Sequence, residues 1–124
     1  SRVCIITTAA PFKSEAGDQG PRAPYNAAAK FYKVYSHPSS KDQFLGISHL
    51  GYDRSYSTAE DINSFFPMRA LFELAQAGEI RNVSPRYYGA PTNRSQETTI
   101  QIDCESILKL AIEDEVDLAI LVAN

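Results

Sequence analysis

Residues 96–122 read QETTIQIDCESILKLAIEDEVDLAILV and join a long amphipathic segment to a short apolar one. Across Gln96–Glu113 the apolar residues recur at the spacing of one buried helix face, which predicts a helix capped by Ser95 or Asn93. The residues of that face are Ile100, Cys104, Ile107, Leu108, Ala111 and Ile112. Leu118–Val122 is entirely apolar, which is typical of a strand buried on both faces of a parallel sheet. A long helix followed closely by such a strand is half of a βαβ unit.

A second apolar strand and a second helix extend this pattern towards the start of the chain. Val3–Thr8 is β-branched with almost no polar alternation, so it is predicted as another strand buried on both faces. Phe66–Ala77 is predicted as a helix, because Pro67 suits a first turn and Gly78 suits the left-handed position after the end. The predicted core-facing residues of this helix are Leu71, Leu74 and Ala75.

The intervening segments are short and rich in turn residues. Tyr25–Tyr35 suits either a helix or a strand. Short strands are predicted at Phe44–His49 and Ile80–Val83. A turn is predicted at Ser36–Ser40, and Ser84–Asn93 is rich in turn residues. The whole pattern predicts a single α/β domain over residues 1–124, with an open, largely parallel sheet and flanking helices in Rossmann-like layers. Val3–Thr8 and Leu118–Val122 are its predicted inner strands.

Composition and charge narrow the classes of function. Hydrophobic residues make up 44% of the chain and charged residues 22%, which is ordinary globular usage and argues against disorder. Twelve basic against fifteen acidic residues give a net charge of -3, which argues against nucleic acid as a partner. The apolar runs fall short of the roughly 20 residues of a membrane span, and the chain begins without a signal-peptide pattern. With two cysteines predicted to be free thiols, we expect a cytoplasmic protein that contacts no membrane.

Known cofactor and metal motifs are missing from the sequence. Neither G-x-G-x-x-G nor G-x-x-x-x-G-K-[ST] occurs, so a dinucleotide or P-loop enzyme is disfavoured. His37 and His49 are twelve residues apart and no Cys-x-x-Cys is present, which does not suit a metal centre. We therefore expect no cofactor and no metal. His37, which precedes a proline in a serine-rich stretch, is predicted to be a solvated turn residue.

The main candidates for chemistry follow two of the predicted strands. In open α/β sheets the ligand crevice lies beyond the carboxyl ends of the strands, where Thr7 and Thr8 could bind a polar substrate group. The alternative for both hydroxyls is ordinary bonding to the backbone. In the run His49-Leu50-Gly51-Tyr52-Asp53, a carboxylate four residues after an imidazole can orient it for proton transfer. The alternative is that Asp53 turns the loop while His49 bonds to the backbone.

Several other residue types carry weaker signals. Cys4 and Cys104 lie within predicted apolar patterns, where buried thiols mostly act as small hydrophobes. The cluster Tyr87-Tyr88-Gly89 suits either a pocket wall or core filling. The arginines in predicted loops, any one of which could clamp an anion, are Arg22, Arg54, Arg86 and Arg94.

The order of these segments resembles the selenoprotein B family of the glycine/sarcosine/betaine/D-proline reductases. The resemblance begins with a strand ending in Thr7-Thr8 and continues with the H-x-G-[FY]-D loop at His49–Asp53. An L-x-E-L-x-x-x-G-x-I helix matches Leu71–Ile80, and a D-[AL]-[AV]-I-L strand matches Asp117–Leu121. The match spans nearly the whole chain and is loosest in the long loop after the first strand.

The resemblance implies reductive cleavage of a C–N bond in a small amine or amino-acid-like substrate, by a selenocysteine or cysteine that attacks the substrate. In better-known members a pyruvoyl-bearing partner subunit carries the substrate amine. The reactive chalcogen follows the strand that matches Leu118–Val122, so it is expected outside this chain. Within the chain the resemblance makes His49 and Asp53 the catalytic candidates and Thr7 and Thr8 the substrate-binding ones.

Three interpretations of the chain itself stay open. It is the N-terminal part of a longer reductase, a processed subunit that assembles with a partner, or a family member without the chemistry. The alternative function is accordingly a non-catalytic α/β binding or assembly subunit.

Overall fold

The computed structural model describes residues 1–11, 31–47, 55–56, 60–92 and 95–124. Within these ranges it contains seven strands: β1 (Arg2–Thr7), β2 (Ala10–Pro11), β3 (Tyr35–Pro38), β4 (Leu45–Gly46), β5 (Asn82–Val83), β6 (Arg86–Gly89) and β7 (Leu118–Val122). The helical elements are a 3₁₀ turn at Ile62–Ser64, α1 (Met68–Gln76), α2 (Gln96–Thr98), a π-helical turn at Thr99–Asp103 and α3 (Cys104–Glu113). Mixed α/β content around a mostly parallel sheet with flanking helices confirms the predicted general class, and the described strands form no closed barrel.

Strand β1 is the centre of the larger sheet. Strand β7 pairs with it in parallel from Val3–Leu118 to Thr7–Val122. Strands β5 and β6 are also parallel to β1, β5 beside its start and β6 beside its end, while β3 is antiparallel to β6. Consecutive β1 side chains Val3, Cys4 and Ile5 are all buried, as the uninterrupted apolar run predicts. The prediction of an inner strand at Val3–Thr8 is confirmed.

Strand β6 corrects the prediction of a turn-rich stretch at Ser84–Asn93. Tyr87 and Tyr88 are fully buried within it, so both tyrosines fill the core. Ser84 N donates to Val3 O at one end and Ala90 N donates to Thr7 O at the other, both at 2.8 Å. The prolines of this stretch lie outside β6 and leave its ladder intact, and tyrosine favours strands.

Strand β3 corrects the prediction of a turn at Ser36–Ser40, since only Ser39 and Ser40 form the turn. His37 is half-buried in the strand, and its ring centroid lies 5.0 Å from that of Tyr35. It is therefore not the solvated turn residue expected. Of the Tyr25–Tyr35 segment, residues 25–30 lie outside the described ranges, and Tyr35 begins the strand.

Helix α1 begins and ends close to its predicted bounds. Pro67 precedes its first residue, and Gly78 adopts φ +77°, the left-handed conformation that glycine reaches without strain. Leu71 is buried as predicted, but Leu74 is 41% exposed, and Met68 is buried instead. The two buried residues, Met68 and Leu71, are spaced i, i+3 along one side of the helix.

The helix predicted at Gln96–Glu113 is present, with its α-helical turns interrupted by the π-helical turn. Ser95 Oγ accepts a hydrogen bond from Thr98 N at 3.2 Å, which confirms the serine cap. The predicted buried face is wrong, because Cys104, Leu108 and Ile112 are exposed. Asp103 and Asp114 are buried instead, and Asp114 is accommodated there because Tyr88 of β6 donates a hydrogen bond to its carboxylate.

Strand β7 corrects the prediction of an inner strand at Leu118–Val122. Among the described strands it pairs only with β1, and Leu118 and Leu121 are 52% and 64% exposed. Leu118 and Leu121 belong to opposite faces of a pleated strand, so both faces of β7 present apolar surface. Within the part of the chain that the structure describes, no helix has the length and apolar character to cross a membrane.

Candidate functional site

Three parallel strands end at the same edge of the sheet. The last pair in the β1–β6 ladder is Thr7 with Gly89, and the last pair in the β1–β7 ladder is Thr7 with Val122. The segments that leave this edge therefore begin at Thr8, Ala90 and Ala123. In open α/β sheets, ligands bind at this carboxyl-terminal edge.

Thr8 and Asn124 hold two of these segments together. Thr8 Oγ1 accepts from Asn124 N at 2.8 Å and donates to Asn124 O at 3.4 Å. A backbone hydrogen bond joins the same two segments, since Thr8 N donates to Val122 O at 3.3 Å. The Asn124 side-chain Nδ2 is buried, and among the described residues it has no hydrogen-bond partner. Sequence reasoning did not name Asn124 as a site residue, although its place directly after an apolar strand was the available signal.

Thr7 is fully buried, and its Oγ1 accepts a hydrogen bond from Ala9 N at 3.0 Å. Its hydroxyl therefore shapes the turn that follows β1. Thr7 and Thr8 both bond to backbone groups in the structure, as the alternative interpretation of these residues described. Thr8 is the less buried of the two.

Tyr35, the first residue of β3, also fixes the segment after β1. Its hydroxyl donates to Ala9 O at 2.7 Å, and its ring lies against Gly89, where a side chain would collide with it. Burial, followed by the neighbouring Tyr87 hydroxyl, raises the pKa of Tyr35 far above its ordinary value. Tyr35 stays protonated and acts as a hydrogen-bond donor. Sequence reasoning missed this role, because Tyr35 and Ala9 are 26 residues apart.

A short antiparallel pair brings the middle of the chain to the same edge. Strands β2 and β4 pair Ala10 with Gly46 and Pro11 with Leu45, and Ile47 is fully buried in the core beyond them. The chain therefore reaches the end of β1 just before it enters the predicted proton-transfer loop. His49 and Asp53 themselves lie outside the described residues.

The opposite edge of the sheet carries a charged cluster. Arg86, predicted to lie in a loop, begins β6 and contacts the Asp114 carboxylate through Nε and Nη2, with closest distances of 3.0 and 2.9 Å. Tyr88 donates to Asp114 Oδ2 at 2.7 Å, and Arg2 donates to Asp114 O at 2.7 Å. These bonds tie the end of α3 to the starts of β1 and β6, so the cluster is structural. The other arginines of the predicted set, Arg22, Arg54 and Arg94, lie outside the described residues.

The two cysteines occupy opposite environments. Cys4 is buried in β1, where burial and then the Asp114 charge raise the pKa of its thiol to about 11. Cys104 is exposed on α3, although it was predicted to be buried in the core face. A buried thiol with a raised pKa is a poor nucleophile.

We expect iodoacetamide at pH 8 to alkylate Cys104 and leave Cys4 intact in the folded protein. At that pH a thiol with a pKa of about 11 is ionised in roughly one molecule in a thousand. Peptide mass spectrometry after a timed reaction measures both sites, with urea-unfolded protein as the control in which both react. Equal labelling of the two cysteines in folded protein would contradict the burial of Cys4.

Taken together, these features describe a mixed α/β protein whose sheet ends in uncharged hydrogen-bonding groups. Hydroxyl and amide groups such as those of Thr8 and Asn124 can bind and orient a polar ligand, whereas proton transfer at neutral pH requires a group such as an imidazole. The described residues contain no cluster of three or more His, Cys, Asp or Glu side chains able to hold a metal ion. Comparison with protein-family models, with curated proteins and with solved structures found no match.

Proposed function

We propose that residues 1–124 form the N-terminal part of a selenoprotein B-type reductase, which cleaves a C–N bond in a small amine or amino-acid-like substrate. In this proposal the sheet is open, in Rossmann-like layers, and the site lies at its carboxyl-terminal edge. The observation that supports the proposal is that two of the segments on which the resemblance rests, the ends of β1 and β7, meet at that edge. Thr8 bonds directly to Asn124, and β4 pairs with β2, the short strand that follows β1.

The proposed chemistry assigns distinct tasks to these groups. An attacking thiolate or selenolate forms a bond to the substrate carbon, and the C–N bond breaks with its electron pair leaving on nitrogen. The leaving nitrogen needs a proton, which the imidazolium of His49 supplies while Asp53 orients the ring. Thr8 and Asn124 hold the edge of the site in place. One thiolate of a dithiol donor then attacks the chalcogen, and the carbon leaves with the bonding electron pair and takes up a proton. The second thiol displaces the chalcogenolate, which regenerates the nucleophile and leaves the donor as a disulfide.

The described cysteines support a nucleophile outside this chain. Cys4 is enclosed between its strand neighbours with a raised pKa, and Cys104 lies on a helix face turned to solvent. Neither residue lies in the segments that leave the carboxyl-terminal edge. This agrees with the family pattern, in which the reactive chalcogen follows the strand matching Leu118–Val122.

The alternative, a non-catalytic assembly subunit, is favoured by the apolar surface of β7 and α3. Leu121, Leu108 and Ile112 are each at least 60% exposed, which is unusual for side chains of this size. A partner that covers this surface would suit a subunit whose task is to complete a pocket.

We expect His49→Ala in the full-length protein, assayed with its partner subunit, to lower kcat by about a hundredfold or more, as for loss of a general acid. Substrate loss and product formation are followed by mass spectrometry for glycine, sarcosine, betaine and D-proline with a dithiol donor. His37→Gln changes the other histidine, which lies in β3, and should keep turnover within about twofold of wild type, since it touches no proposed step. Unchanged turnover in His49→Ala would overturn the assigned role. Absence of turnover for every substrate would favour the assembly subunit.

A further inference from the structure

We propose that Tyr35 is a positioning residue for the carboxyl-terminal edge of the sheet and acts through the turn that follows β1. The Tyr35 hydroxyl takes part in no step of the proposed reaction, but it donates to Ala9 O at 2.7 Å. Ala9 directly follows Thr8, so this bond holds the chain where it leaves the edge. Its consequence for turnover rests on the proposed function, whereas its consequence for the backbone is measurable without any substrate.

Three consecutive peptide groups of this turn are held by hydrogen bonds. The first group joins Thr7 to Thr8, and its carbonyl accepts from Ala90 N at 2.8 Å. Its N–H donates to Val122 O at 3.3 Å. The N–H of the second group, on Ala9, donates to Thr7 Oγ1 at 3.0 Å, and the carbonyl of the third accepts the tyrosine hydroxyl. The backbone of Thr8 and Ala9 is therefore fixed on both sides.

The hydrogen bond to the third peptide group is costly to lose. Ala9 is fully buried, so removal of the tyrosine hydroxyl deprives an enclosed carbonyl of its donor where no water replaces it. The same peptide group contains the N–H of Ala10, which pairs with Gly46 in the β2–β4 ladder. A rotation of this group towards another donor would therefore disturb the turn on one side and the ladder on the other.

The ring of Tyr35 is held in place by packing. Gly89, its neighbour on β6, has no Cβ, and the ring occupies the space that a Cβ would take. The ring centroids of Phe31 and His37 each lie 5.0 Å from that of Tyr35. Burial, followed by the Tyr87 hydroxyl, raises the pKa of Tyr35, so the hydroxyl keeps its proton and donates. A side chain locked by its neighbours can hold another group in a defined geometry.

Two parts of the proposed site depend on this turn. Thr8 Oγ1 accepts from Asn124 N at 2.8 Å, which joins the ends of β1 and β7. On the other side of the turn, Gly46 of the β2–β4 pair precedes His49 by three residues in the sequence. A displacement of about 1 Å in an active site can lower a rate by about a hundredfold. We therefore expect the Tyr35 hydroxyl to affect turnover without touching the substrate.

Backbone hydrogen exchange of the full-length protein tests the positioning directly. Tyr35→Phe keeps the ring and removes the hydroxyl, and it should speed exchange of the Thr8 and Asn124 amides by about tenfold or more. Tyr88→Phe is the matched control, because it removes another buried hydroxyl, which bonds Asp114 at the opposite edge. It should leave both amides within about twofold of wild type. Unchanged exchange in Tyr35→Phe, or equal acceleration in the two variants, would overturn the proposal.

Turnover is then compared in the same variants, with the partner subunit and a dithiol donor, at a temperature where both are folded. Tyr35→Phe should lower kcat by about tenfold or more and change KM less, because the turn positions reacting groups. Tyr88→Phe should keep kcat within about twofold. Equal losses of kcat in the two variants would overturn the positioning role. If wild type turns over no substrate, the proposed function fails, and the exchange rates alone decide whether Tyr35 holds the turn.

Discussion

Gly89→Ala is expected to lower the free energy of unfolding by about 3 kcal/mol or more, as overpacking in a rigid site does. A Cβ at this position would overlap the Tyr35 ring atoms Cε1, Cδ1 and Cζ. The ring has little room to yield, because its hydroxyl bonds Ala9 O and its centroid lies 6.0 Å from that of the buried Tyr87. Urea unfolding of the purified protein measures the loss.

Two controls separate the collision from the general cost of replacing glycine. Gly78→Ala meets nothing within 4 Å but forces alanine into φ +77°, so it should cost only about 1 kcal/mol. In a Tyr35→Ala background, Gly89→Ala should cost far less than in wild type, because the overlapping ring is gone. Losses of equal size at Gly89 and Gly78 would show that the packing of Tyr35 does not decide the effect.

Asp114→Asn is expected to cost about 2 to 3 kcal/mol at pH 7, as does the loss of a charged hydrogen-bonding partner from a largely buried network. Arg86 and Tyr88 both bond this carboxylate, whose side chain is 9% exposed. Glu73→Ala removes the exposed pair with Arg69 and should cost no more than about 0.5 kcal/mol. A similar loss in the two variants would show that burial adds nothing to the Arg86–Asp114 pair.

The contribution of Asp114 should also depend on pH. Burial tends to raise its pKa, but the hydrogen bonds from Arg86 and Tyr88 outweigh burial and hold the pKa below its ordinary value. A carboxyl group with a lowered folded-state pKa stabilises the fold above its unfolded-state pKa of about 3.9. The stability difference between wild type and Asp114→Asn should therefore be constant from about pH 7 to pH 5 and shrink below about pH 4. A difference that grows as the pH falls would contradict the direction of this shift.

The candidate site divides into a part that follows from general rules and a part that does not. Thr8 was predicted because strands of an open sheet place their carboxyl ends at one edge. In the structure Thr8 directly follows β1 and bonds to Val122 and Asn124 at the end of β7. Asn124 and Tyr35 complete the described edge through bonds to Thr8 and Ala9, which are 116 and 26 residues away in sequence. Contacts over such separations leave no local pattern. The roles of His49 and Asp53 stay predictions.

Locally determined features of the fold were readable from the sequence alone. The buried strand β1 follows from a β-branched run, the left-handed Gly78 from the absence of a Cβ, and the cap at Ser95 from a hydroxyl that accepts a backbone N–H. Each depends on the residue itself and its immediate neighbours. The free energies that favour these features come from interactions among residues close together in the sequence, so a sequence pattern can predict them.

Which faces are buried was decided only by the tertiary structure. Tyr87 and Tyr88 form an inner strand because β1 and β3 lie on either side of β6, although flanking prolines suggest turns. Helix α3 turns Asp114 inward and leaves Ile112 exposed because Arg86 and Tyr88 satisfy the carboxylate. From a sequence pattern a carboxylate is predicted to face solvent. Its burial depends instead on whether a distant partner replaces the hydrogen bonds to water that the carboxylate gives up. Burial therefore depends on pairs of side chains that meet only in the folded protein, and it cannot be predicted from one segment of the sequence.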